Sequence, residues 1–181
     1  MLAIDGSVIE LPNTAALRAA NGATENQSPR GALARARSSA LYDVLNGLVI
    51  HTVLDRYDAA ERDLAKQHLR ALVEGDLGSR PNLVLFDRGY PSTDLILFLH
   101  FLGIRYLMRV ASSFWPEIGE TTEPDTVVTI RITRERARQL ARQGTSVPVG
   151  TEITVRVLKI KLPTGETKTL ITDLTPKRVA L

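Results

Sequence analysis

Residues 82–110 constrain the fold most. They hold a short, unbroken apolar run, "NLVLF", then an almost wholly apolar stretch, "STDLILFLHFL", then a second strand-like run, "IRYLMRV". A short run without polar interruption suits a strand buried on both faces. Pro91-Ser92 opens a helix, and Gly103 sits where a left-handed C-cap belongs. A helix this apolar is predicted to pack inside. The first strand delivers one charged residue, Asp87, in "LVLFDRGYPS". A strand, a helix and a strand, following earlier β-rich sequence, predict an α/β domain with a mixed sheet.

Upstream, "MLAIDGSVIELP" reads as one strand, or as two short strands around Asp5-Gly6. Residues 13–35 have no clear period and read as a loop. "RARSSALYDVL" and "LVIHTVL" flank Asn46-Gly47, which predicts a hairpin with a type I′ turn and positive φ at both central residues. A helix follows, with Asp58 as cap, Glu61 completing a capping box, and an apolar stripe of Ala60, Leu64, Leu69, Leu72 and Val73. "EGDLGSRP" ends it. Beyond Ala111, "SSFWPEIGETTEPD" is a turn-rich connection. "TVVTIRI" is a strand, "TRERARQLARQ" a short basic helix, and "TEITVRVLKIKL" and "ETKTLITDL" two strands around the turn "PTG".

The chain of 181 residues has no cysteine, which excludes disulfides, zinc–thiolate sites and a cysteine nucleophile, and suits a reducing cytoplasm. No apolar run approaches a membrane span, and no signal peptide is read. Net charge is +3, but it is unevenly spread. "TIRITRERARQLARQG" has five arginines against one glutamate, a net of +4, so the remainder nets −1. Arg134, Arg138 and Arg142 follow at i, i+4 and i+8, on one helix side. A looser basic stretch holds Arg30, Arg35 and Arg37. Clustered arginine is the footprint of a phosphate-backbone binder, and equally of a solvated helix face.

Asp5 follows "LAI" and Asp87 follows "LVLF". On neighbouring parallel strands, two such carboxylates could meet at the sheet edge where α/β ligand sites lie, and hold Mg²⁺ or Mn²⁺ for phosphoryl transfer. Two simpler readings stand beside this one: Asp5-Gly6 as a hairpin turn, and Asp87 as the cap of the turn after it. His51, His68 and His100 have no metal-ligand spacing, and His100 reads as a core histidine with its hydrogen bonds satisfied. Ser7 and Ser92 have no adjacent base, and no glycine-rich phosphate loop is present.

Taken in order, "AIDGSVIELPN", "ARARSSALYDVLNGLVIHTVL", "ERDLAKQHL", "FDRGYPS" and "IRYLMRV" resemble a bacterial DDE transposase of the insertion-sequence-four family, over residues 2–174. The resemblance implies a ribonuclease H-like, mixed five-stranded sheet with flanking helices and a β-rich insertion. Its segments would be a core over 1–111, the insertion with its basic helix over 112–170, and a last strand and tail over 171–181. It implies Asp5 and Asp87 as catalytic, metal-binding aspartates, and DNA transposition on double-stranded transposon ends by a homodimer. Arg88, Arg134, Arg138 and Arg142 would contact DNA. Family members add a helix bearing a catalytic glutamate, with tyrosine, arginine and lysine around it. Nothing after "LITDL" matches that motif, and neither Glu166 nor Asp173 fits it. The expectation is therefore a core cut short and without the usual N-terminal DNA-binding region: an inactive enzyme, a non-catalytic DNA-binding remnant, or a small ribonuclease H-like nuclease using another acid.

Overall fold

The computed structural model describes residues 1–24, 31–75 and 82–175, in two compact units, Met1–Arg80 and Pro81–Leu181. The first unit contains β1 (Leu2–Glu10), α1 (Ala15–Asn21), β2 (Ala23–Thr24), β3 (Leu33–Asp43), β4 (Leu48–Arg56) and α2 (Glu61–Glu74). β3 is its spine. It pairs antiparallel with β1 from Leu2↔Asp43 to Glu10↔Arg35, and with β4 from Ala36↔Arg56 to Asp43↔Leu48. β1 runs unbroken through Asp5-Gly6, so the hairpin-turn reading of that dipeptide falls: Asp5 lies opposite Ala40 inside the ladder.

The residue 13–35 stretch is not all loop. Thr14 caps α1, its hydroxyl accepting from Leu17 N at 3.2 Å. Asn13 Oδ1 accepts from Arg18 Nη1 at 2.9 Å and from Ala34 N at 3.2 Å, which ties the helix to β3. Residues 25–30, including Arg30, lie outside the described set.

The β3–β4 hairpin is present, but its connection has four residues, 44–47, and only Gly47 has positive φ (68°). Asp43 explains the wider loop. Its carboxylate accepts from Leu45 N, Asn46 N and Asn46 Nδ2 at 3.0, 3.3 and 2.6 Å, replacing the two-residue turn with one organised by a side chain. The capping box on α2 is also absent. Ala60 is the cap residue and makes no side-chain bond. Asp58 pairs with Arg56 at 3.1 Å, and Glu61 with Arg37. Leu64, Ala65, His68, Leu69 and Leu72 form the buried face of α2, while Val73 is exposed.

The second unit contains β5 (Leu83–Phe86), α3 (Thr93–Leu102), β6 (Arg105–Val110), α4 (Pro116–Gly119), β7 (Asp125–Arg131), α5 (Arg134–Arg142), β8 (Glu152–Lys161) and β9 (Thr167–Thr172). Its strand order is β5-β6-β9-β8-β7. β5 and β6 are parallel, as a helical crossover permits, and the other neighbours are antiparallel. β9 runs through residues 170 and 171, where the expected boundary between insertion and core falls.

Ser92 caps α3, its hydroxyl accepting from Leu95 N at 3.0 Å, and Gly103 closes it in the left-handed region at φ 67°. The helix is not buried all round: Leu95, Ile96 and Leu99 are fully buried, but Phe101 is 85% exposed. β5 likewise buries Val84 and Phe86 while Leu83 and Leu85 are half-buried, so it has one inner face rather than two. No described helix is long and apolar enough to cross a membrane.

This asymmetry of α3 predicts unequal costs. Leu99→Ala should destabilise the protein by about 2–5 kcal/mol through transfer and cavity terms. Phe101→Ala should stay within about 0.5 kcal/mol. Urea denaturation of both variants checks this, and similar losses would contradict the one-faced packing of α3.

Candidate active site and nucleic-acid interface

In the first unit, strand alternation puts Asp5 on the face opposite buried Leu2 and Ile4. Its side chain is exposed, and Oδ1 accepts from Gly6 N at 2.9 Å. No lysine, arginine or histidine pairs with it among the described residues.

A buried polar chain lies beneath the Asp5 peptide, and no short-range sequence signal points to it. Ser39 Oγ and the Asp5 carbonyl oxygen are 3.2 Å apart, His68 Nε2 and Ser39 Oγ 3.0 Å, and His51 Nδ1 and His68 Nδ1 2.8 Å. Hydrogen-bond chemistry assigns each proton. A carbonyl only accepts, so Ser39 donates to Asp5. The hydroxyl has one proton, so it must accept from His68 Nε2–H. His68 Nδ1 is then bare and accepts from His51 Nδ1–H. Strands β4 and β3 and helix α2 thus converge on the backbone of Asp5. The contributing residues are 39, 51 and 68, too far apart for any motif. Pairing of Leu41 with His51 across β3 and β4 puts the His51 ring on the face of β3 that carries Ser39, and α2 brings His68 to it.

In the second unit, Asp87 is the first residue past β5 and is exposed. Its Oδ1 accepts from Gly89 N, and its carbonyl from Tyr90 N at 3.4 Å. The turn-capping expectation is therefore met. Asp87 also lacks a cationic partner among the described residues, so its second oxygen is available. Arg88 is exposed beside it.

Arg134, Arg138 and Arg142 are all exposed on α5, and Leu140 is the buried anchor of that helix. Arg136 behaves differently: it forms a two-pronged pair with Glu117 at 2.9 and 3.0 Å. Asp173 is structural. It accepts from Arg105 Nη1 at 2.7 Å and Tyr106 N at 3.1 Å. His100 is exposed rather than in the core, with its ring 3.2 Å from the Tyr106 hydroxyl. Glu166 bonds Lys168 in the β8–β9 turn.

Two exposed carboxylates without cationic partners suit a hard divalent cation, whose preferred ligands are such oxygens. Among the described residues, however, no three His, Asp, Glu or Cys side chains gather into a metal-binding group.

His68 makes the first unit sensitive to acid. Burial, and then the neighbouring His51, lower its pKa from 6.5 to about 4. The unfolded chain therefore binds a proton on His68 before the folded one does. The contribution of neutral His68 is complete above about pH 6.5 and is lost as pH falls toward 4. Protonation would also place donors on both ring nitrogens and oblige His51 to change tautomer. In melting curves, the advantage of the wild type over His68→Gln should shrink steadily from pH 7 to pH 4; a constant gap would contradict this.

The sequence matches the family model for the transposase DDE domain over residues 1–180. Among solved structures, it is similar to the piggyBac transposase in a cryo-EM synaptic complex with hairpin DNA. That match has a TM-score of 0.52 and 11% identity, covering 96% of this chain and 33% of the other. The chain thus spans about a third of that relative's length. Endonuclease V from Ciona intestinalis, in complex with an inosine-containing DNA, aligns at a TM-score of 0.35 and 11% identity over 94% of this chain and 69% of its own. No curated protein matches the chain. The piggyBac likeness is one of fold, and agrees with the mixed α/β, ribonuclease H-like architecture that the family resemblance implies. With the family model spanning almost every residue, the chain belongs to the transposase DDE-domain family.

Proposed function

We propose that this chain is the catalytic core of a DNA transposase of the insertion-sequence-four kind, binding double-stranded transposon ends as a homodimer, with Asp5 and Asp87 each a ligand for Mg²⁺ or Mn²⁺. One observation above all supports the reading: in a chain of the DDE-domain family, two strand-borne aspartates are exposed and free of cationic partners. Asp5 is oriented by Gly6 N and by the ladder around it, and Asp87 by Gly89 N. Each carboxylate would offer an oxygen to a divalent ion, and the chemistry such an ion would supply is activation of an attacking oxygen and neutralisation of phosphate charge. Arg88, Arg134, Arg138 and Arg142 would bind flanking phosphates, fixing the register of the duplex without reading its sequence. Strands β7 and β8 with α5 would form the inserted, DNA-facing unit, and β9 would return the chain to the core.

A second reading, DNA binding without turnover, is favoured by the lack of a three-acid group among the described residues. A third carboxylate would fix the ion beside the attacking or leaving oxygen. With two acids alone the 181-residue chain should hold Mg²⁺ weakly and Mn²⁺ better.

Melting curves with and without Mn²⁺ test the proposal. Metal should raise the Tm of the wild type, because an ion held by the folded chain stabilises it. Asp87→Asn should abolish or sharply reduce that gain. Supercoiled DNA should stay uncut by the 181-residue chain. A Tm indifferent to Mn²⁺ in both proteins would contradict the metal site, and strong cleavage lost in Asp87→Asn would show that another acid completes it.

A further inference from the structure

The second unit holds a pocket of about 250 Å³ that the two aspartates do not line. It lies where β6 ends and β9 begins, and its charged residues are Arg88, Arg109, Lys168 and Glu166, with Ser112 and Ser113 adding hydroxyls. Strand register explains the grouping. Arg109 pairs with Leu170, and Lys168 stands two residues before Leu170, so both cations project from one face of the sheet. Continuing the β5–β6 register one step beyond Phe86↔Met108 sets Asp87 level with Arg109 on that face.

Three cations face one carboxylate. Glu166 is committed to Lys168, whose hydrogen bond is the main cause holding it below the usual carboxylate range, with Arg109 and Arg88 adding smaller contributions. Arg109 is half-buried, and no carboxylate pairs with it or with Arg88 among the described residues. The lining is mostly polar and the volume below that of ordinary organic-ligand pockets. A small, multiply charged anion with several acceptor oxygens fits such walls, because guanidinium and ammonium donors and serine hydroxyls can each take one oxygen.

We propose that this pocket binds a phosphate group, and that its source is a phosphodiester of the DNA strand engaged beside Asp87. The proposal rests on the DNA-handling reading and adds to it a phosphate subsite built by Arg109 and Lys168. Clamping a backbone phosphate one step from the β5 carboxyl end would hold the neighbouring linkage at Asp87, a positioning contribution distinct from metal chemistry.

Fluorescence anisotropy of a labelled duplex, titrated with the full chain over a range of salt in EDTA, tests this without any metal. Removing two phosphate contacts in the Arg109→Ala/Lys168→Ala double variant should lower the slope of log affinity against log salt by about 2. Arg109→Lys should keep most of the slope. Glu166→Gln should tighten binding, because it removes the competing anion; a substitution that merely damaged the fold would weaken it. Melting curves confirm folding of each variant, and if the double variant does not fold, Glu166→Gln and Arg109→Lys decide the matter. An unchanged slope in the double variant, or unchanged affinity in Glu166→Gln, overturns the proposal. So does a wild type that binds no DNA. Competition with inorganic phosphate separates the sources: phosphate that binds at Arg109 while the DNA slope ignores both substitutions marks a free-phosphate site. Loss of the Mn²⁺ melting effect with the slope changes intact would remove the metal reading and leave this subsite standing.

Discussion

Strand β5 can present a charge only where its backbone leaves the core. Val84 and Phe86 point into the buried layer, and the first charged residue is Asp87, exposed just past the carboxyl end. Much of the second unit follows. Because β5 and β6 are parallel, a crossover must join them, and α3 is that crossover, started by Ser92 and stopped by Gly103. The turn between β5 and α3 is set by Asp87 itself through Gly89 N. β9 then pairs with β6 and brings Lys168 to the same edge. A strand end, a turn and a hairpin thereby gather charge at one place.

The first unit solves a different problem. Asp5 lies within a strand, where the ladder fixes the backbone and the side chain is held by the neighbouring Gly6 N–H. The opposite face is dense, with α2 supplying His68 to a chain of hydrogen bonds that ends on the Asp5 carbonyl. The His51–His68 contact is stabilising only while the two facing Nδ1 atoms share one proton. The hydrogen bonds that end on the Asp5 carbonyl are therefore coupled to the protonation of His68, which lies on the face away from the Asp5 side chain.

Local signals made much of the fold legible. "NLVLF" and "IRYLMRV" are strands, Ser92 and Gly103 bound α3, and the arginine-rich stretch is a solvent-facing helix. Failures came where side chains override local grammar. Asn46-Gly47 signalled a two-residue turn, but Asp43 binds three donors and opens the loop. Asp58 was a plausible cap, yet the Arg56 guanidinium takes it. Small residues hid α1, whose clearest mark is Thr14. Asp5 and Asp87 stand out because a charge interrupts an apolar strand. The His51–His68–Ser39 chain and the Arg109–Lys168 pair depend on register between strands, which short-range patterns do not encode.

The central proposal is that Asp5 and Asp87 are both metal ligands. Paramagnetic broadening tests it most directly: substoichiometric Mn²⁺ is added to isotopically labelled protein and amide signals are followed. The account predicts that signals of Asp5 and Gly6 and those of Asp87 to Gly89 broaden, that Asp5→Asn weakens the first set, and that Asp87→Asn weakens the second. No broadening at either aspartate, or broadening that survives substitution of the aspartate beside it, would contradict it.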